Sequence, residues 1–135
     1  QKFNFLQGHV ICDVRLVDMN ADGYTDFTYM PESAARGANE LRKLFIYRPA
    51  VDSFIYVRSS EDHPNLFYDS SVNSIIDSRF YGETIRTALL RLDGDTLLEV
   101  SGKISTPDST LKFIVDKNGN EKIISRKKNK ERGYY

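Results

Sequence analysis

Residues 74–100 read SIIDSRFYGETIRTALLRLDGDTLLEV, and this stretch decides the fold. Ser74–Tyr81 and Thr84–Leu92 are β-rich runs joined across Gly82-Glu83. Asp93-Gly94-Asp95 then closes a second tight turn into Thr96–Val100. Glycine takes the positive φ of such turns without a Cβ penalty. Runs joined this tightly pair as antiparallel neighbours, so a meander is predicted. Downstream, Leu111, Phe113 and Val115 alternate with Lys112, Ile114 and Asp116. Lys117-Asn118-Gly119-Asn120 is the strongest hairpin signal in the chain, and Glu121–Arg126 pairs back. Upstream, Glu40–Arg48 turns through Pro49-Ala50-Val51-Asp52 into Phe54–Arg58. Leu41, Leu44, Phe45, Ile46 and Tyr47 are apolar on both faces, which predicts a central strand. Phe27–Met30 and Leu66–Asp69 are shorter strands; Pro31–Asn39 and Ser59–Asn65 read as loops. In His9–Asp18, Val10, Cys12, Val14 and Leu16 fall on one apolar face, with Asp13 and Arg15 on the other. About nine strands follow. The predicted fold class is all-β, an antiparallel meander of two or three small sheets in a propeller-like arrangement. It forms one domain over residues 1–135.

Composition narrows the function. Lys plus Arg is 19 and Asp plus Glu is 19, a formal net charge of zero. A nucleic-acid binder needs a surplus that neutralises phosphates, so that class is disfavoured. No apolar run reaches the ~18 residues of a membrane span. Cys12 is the single cysteine, which excludes an internal disulfide framework and a cysteine-rich zinc site. Its place in the apolar set of the first strand predicts a buried, inert thiol. The chain opens at Gln1, as a mature protein does after signal-peptide removal; a trimmed chain would begin the same way. The basic run RKKNKER over 126–132 reads as a solvated terminal segment, or as a polyanion-binding patch.

Asp18 to Asp26 reads D-x-N-x-D-G-x-x-D. At this spacing the oxygens of Asp18, Asn20 and Asp22 converge as the chain turns. Gly23 permits the bend, the Tyr24 carbonyl points inward and Asp26 closes the ring. Calcium, a hard cation, is the metal such a set suits. Two carboxylates 4 Å apart repel by about 4 kcal/mol at an effective dielectric near 20, and a divalent ion removes that cost. The competing reading is a polar turn in which Asp and Asn bond their own backbone. An EF-hand is excluded, because Tyr29 stands where the bidentate Glu belongs and strands flank the loop. The ion is expected to be structural.

Catalytic signatures are missing. There is no nucleophile elbow, P-loop, dinucleotide fingerprint or His-Glu-x-x-His. His9 and His63, the two histidines, sit in unrelated segments and read as surface or strand residues. The sequence is therefore read as a non-enzyme.

VDMNADGYTDFTYM (17–30), KLFIYRPAVDSFIYVRSSEDHPNLFYD (43–69) and NSIIDSRFYGETIRTALLRLDGDTLLEV (73–100) together resemble a group of small Gram-negative periplasmic proteins. These are the propeller-like lysozyme inhibitors or effector-immunity proteins with an FG-GAP-type calcium loop. The resemblance covers about Ile11 to Val100, through the loop and the Tyr47-Arg48-Pro49 to Phe54 hairpin. It implies a periplasmic immunity protein that binds and blocks a peptidoglycan-degrading effector. A muramidase cleft holds acids, and Arg and Tyr are favoured binding anchors. Ser78, Arg79 and Tyr81, at the turn of the 74–92 hairpin, are thus the expected partner-binding residues, with Arg79 and Tyr81 inserted into the target. Alternatively Phe80 is core, Tyr81 half-buried and Arg79 merely solvates the strand. The loop Ser59–Phe67 is a second candidate surface, or a solvated connection. The other readings of the chain are a calcium-stabilised adhesion or carbohydrate-binding module and, third, an uncharacterised hydrolase.

Overall fold

Positive-φ glycines at Gly82 (58°) and Gly94 (62°) make the two turns that organise the larger sheet. The structure is a computed structural model and describes residues 13–31, 35–36 and 38–130. The strands are β1 (Asp13–Val17), β2 (Asp26–Met30), β3 (Ala35–Arg36), β4 (Asn39–Glu40), β5 (Lys43–Arg48) and β6 (Ser53–Val57). They continue with β7 (Phe67–Asp69), β8 (Ser74–Tyr81), β9 (Thr84–Asp93), β10 (Thr96–Ser105), β11 (Ser109–Val115) and β12 (Glu121–Lys128). A four-stranded sheet has the order β1-β2-β5-β6, and a six-stranded sheet the order β12-β11-β10-β9-β8-β7. β3 and β4 form a small ribbon. All pairings are antiparallel, and the protein is all-β as predicted.

One core joins both sheets. Leu44, Ile46 and Val57 of the smaller sheet pack with Ile75, Ala88, Leu90, Leu97 and Phe113 of the larger. Gly102 is required there, because a Cβ would meet Phe113 Cζ at 2.6 Å and the Thr87 carbonyl. Polar clamps lock the sheets at the β9–β10 turn. Arg58 N–H donates to the Asp95 carbonyl at 2.9 Å, and Leu97 N–H donates to Ser59 Oγ at 2.8 Å. Arg42, fully buried, donates through Nε to Thr28 Oγ1 at 2.8 Å and through Nη1 to Asp13 Oδ2 at 3.2 Å. That pairing, through its hydrogen bond first, holds the Asp13 carboxyl below the usual carboxylate range.

Several expectations change. β10 runs on to Ser105, because a bulge between Glu99 and Ser101 absorbs an extra residue without ending the strand. Within β1, Leu16 is 46% exposed, since its face is the outer face of an edge strand. Cys12 and His9 lie outside the described residues. β5 is central, yet its second apolar face is not covered by another layer. The Ser59–Asn65 segment is a buried connector, holding Ser60, His63 and Pro64 inside. The basic tail enters the sheet: Arg126, Lys127 and Lys128 pair with Leu111, Thr110 and Ser109.

Candidate functional site

Strand alternation sets the outer face of the four-stranded sheet. Asp26, Thr28, Leu44, Ile46 and Val57 point to the core, so the residues between them point away. Those residues are almost all aromatic. Phe27 stacks on Phe45 with ring centroids 4.8 Å apart and meets Phe54 edge-on at 5.0 Å. Tyr56 lies 5.2 Å from Phe45, Tyr29 lies 6.0 Å from it, and Tyr47 lies 5.4 Å from Phe54. Tyr24, from the polar loop, extends the row to Tyr47 at 5.4 Å. Lys43 sits over Tyr29 and Tyr56 at about 6 Å. The interlocked rings hold one another half-buried, while Phe54 and Tyr24 stay exposed. Tyr47 Oη donates to Asp52 Oδ1 at 2.6 Å, and this bond raises the phenol's pKa. Phe45 and Tyr47 form the second apolar face of the expected central strand, and period-2 patterning cannot show whether such a face is covered.

The polar loop abuts this face. Asp18 Oδ2 accepts Gly23 N–H at 2.8 Å, and Asp18 Oδ1 accepts Asp22 N–H at 3.3 Å. Asp22 Oδ1 accepts Tyr24 N–H at 2.9 Å. Asp26 is fully buried; its oxygens accept Met19 N–H at 2.8 Å and Tyr47 N–H at 2.9 Å. Burial pushes the Asp26 pKa up against the pull of those amides, and the charges of Asp22 and Asp18 push the same way. The donor chemistry suits calcium, and the mutual repulsion invites a cation. The oxygens of Asp18, Asp22 and Asp26 do not, however, lie within 4.8 Å of one another in this conformation. Asp26 braces the loop from inside.

The predicted partner-binding residues separate. Ser78 and Arg79 point to opposite faces of β8. Arg79 Nη2 donates to the Asp62 carbonyl at 2.6 Å and lies 3.7 Å from Asp77 Oδ2, so the guanidinium is engaged within the fold. Tyr81, 60% exposed, stands free at the hairpin end, and Phe80 is exposed rather than core.

A charged group missed by the sequence lies on the inner face of the larger sheet. His63 Nδ1 pairs with Asp77 Oδ2 at 2.8 Å, both buried, and Ala88 N–H donates to Asp77 Oδ1 at 3.2 Å. His63, Asp77 and Glu99 offer ligand atoms within 4.8 Å of one another. Arg86 already grips Glu99 in a fork of 2.8 and 3.0 Å and reaches Glu121 at 3.1 Å. Burial would raise the Glu99 pKa, but the Arg86 fork outweighs it and holds the carboxyl down. A cation would have to displace that fork. Asp77 thus joins the His63 ring, the Ala88 N–H and the Arg79 guanidinium in one buried polar network.

No protein-family model, curated protein or solved structure matches this chain.

Proposed function

We propose that the protein is a non-catalytic binding protein, an inhibitor or immunity protein that blocks a peptidoglycan-degrading enzyme in the periplasm. The observation that carries this reading is the ring-studded outer face of the four-stranded sheet. Interface cores are enriched in Tyr and Phe, which bring large contact area at low entropic cost. Here the rings are preset by mutual packing, so little ordering remains to be done on binding. Tyr81 supplies a separate protruding contact at the β8–β9 turn. A calcium ion belongs to the same reading as a structural brace, held by Asp18, Asn20, Asp22 and the Tyr24 carbonyl. It would stiffen the loop that carries Tyr24 and supply no chemistry.

The test is capture of a partner from periplasmic extract, its identification by mass, and a turbidity assay of cell-wall lysis with and without the protein. Suppressed lysis by a captured hydrolase supports the proposal, and Phe54→Ala should weaken that suppression at least tenfold (~1.4 kcal/mol). The same aromatic face favours a second reading, since sugar rings stack on Tyr and Phe. Retention of purified peptidoglycan, lost in Phe54→Ala and with no enzyme captured, would make the protein a glycan-binding module instead.

A further inference from the structure

Directly opposed residues of an antiparallel pair share a face, so the registers of β9 to β12 show what the outer face of the larger sheet displays. Lys103 stands opposite Thr87 on one side and Lys112 on the other, and Lys112 stands opposite Ser125. One row along, Ile85, Ser105, Thr110 and Lys127 align; on the other side, Leu89, Ser101, Ile114 and Lys122 align. The four lysines are exposed. Among the described residues none of them has a salt-bridge partner. Glu99 and Glu121 lie on the inner face with Arg86, and Glu83, Asp108 and Asp116 lie in the turns that join these strands. Four lysines thereby share one face of a chain whose formal net charge is zero, while Arg126 and Lys128, which flank Lys127, alternate to the other face. Like charges directly opposed, as at Lys103 and Lys112, destabilise a sheet unless an anion lies over them.

The same face is not purely cationic. Phe80 (37% exposed), Ile85 (39%) and Ile114 (41%) stand among the lysines. A soluble polyanion would contact the charges and leave those side chains in water. A lipid interface takes both, with ammonium groups at the headgroup phosphates and aliphatic groups at the acyl boundary. We propose that this face docks on an anionic lipid surface. The attraction is local, acting within a Debye length of roughly 8–10 Å, because the whole molecule carries no net charge. Docked this way, the aromatic face of the smaller sheet, on the far side of the core, remains free.

The test is co-sedimentation of the full chain with vesicles of mixed phosphatidylglycerol and phosphatidylcholine, against vesicles of phosphatidylcholine alone. Binding to the mixed vesicles only is expected, weakening as salt rises. The Lys103→Glu, Lys112→Glu double variant should lose about 30-fold in partitioning. The single variant Lys103→Glu gains a cross-strand partner in Lys112, so it should fold at least as well as the parent while binding about fivefold more weakly or less. Ile85→Ser should also weaken binding. Arg15→Glu, on the edge strand of the other sheet, should leave it unchanged. No binding to the mixed vesicles, or an equal loss in Arg15→Glu, overturns the proposal. Retention on polyphosphate without vesicle binding overturns it in favour of a soluble polyanion.

Discussion

Replacing Asp26 by Ala should destabilise the protein severely, with or without calcium. The carboxylate is fully buried and accepts Met19 N–H at 2.8 Å and Tyr47 N–H at 2.9 Å. Removing it leaves two buried backbone donors without acceptors, at about 1–3 kcal/mol each. Relief of the carboxylate's own burial and of its repulsion by Asp22 and Asp18 returns part of that cost. A net loss of about 2–4 kcal/mol is expected, a large share of the roughly 5–15 kcal/mol that holds a domain together. Asp26→Asn keeps one acceptor but sets its amide against the second N–H, so it should lose about 1–3 kcal/mol. The assay is urea unfolding followed by far-UV circular dichroism in excess chelator, repeated with calcium. A loss below about 0.5 kcal/mol in chelator would refute the clamp. A loss seen only with calcium present would instead make Asp26 a metal ligand first.

Four further outcomes are expected. Gly102→Ala should cost about 1–3 kcal/mol or more, read as a lowered urea midpoint, because its Cβ would intrude on Phe113 and the Thr87 carbonyl. Glu99 has a folded pKa below its unfolded value, so its contribution is present above about pH 4.3 and is lost as pH falls through the folded value. Glu99→Gln should therefore be less stable than the parent at neutral pH, and the gap should narrow under acid in pH-dependent unfolding. Asp26 has the opposite sign: its raised pKa means that the stability tied to its proton is present below about pH 3.9 and is lost as pH rises through the folded value. Calcium should raise the thermal midpoint of the parent by several degrees, and Asp22→Asn should shrink that shift.

Turn chemistry and period-2 patterning made the larger sheet legible. Ser74–Tyr81 matches β8 to the residue, and β9 starts at Thr84 as read, because glycine at a forced positive φ leaves the chain few alternatives. The same patterning failed at His63 and Asp77. A short polar segment with a proline looks solvated in sequence, and only the carboxylate arriving from β8 makes burial of the imidazole tolerable. The burial of Arg42 is equally silent in the sequence, since nothing near it announces the Thr28 and Asp13 oxygens that satisfy it. Arg79 was read as a free donor and proves to be engaged by the Asp62 carbonyl, seventeen positions away.

By itself the sequence determined the strand class, the main turns and the oxygen-rich character of the Asp18–Asp26 loop, because these depend on backbone conformation and on neighbours close along the chain. Tertiary structure alone decided which apolar faces are covered. It turned Asp26 inward, stacked the rings of β2, β5 and β6 into one outer face, and gathered Lys103, Lys112, Lys122 and Lys127 onto one face of β10 to β12. Each of those outcomes depends on strand register and on which layer lies opposite, and neither is written in any local stretch of residues.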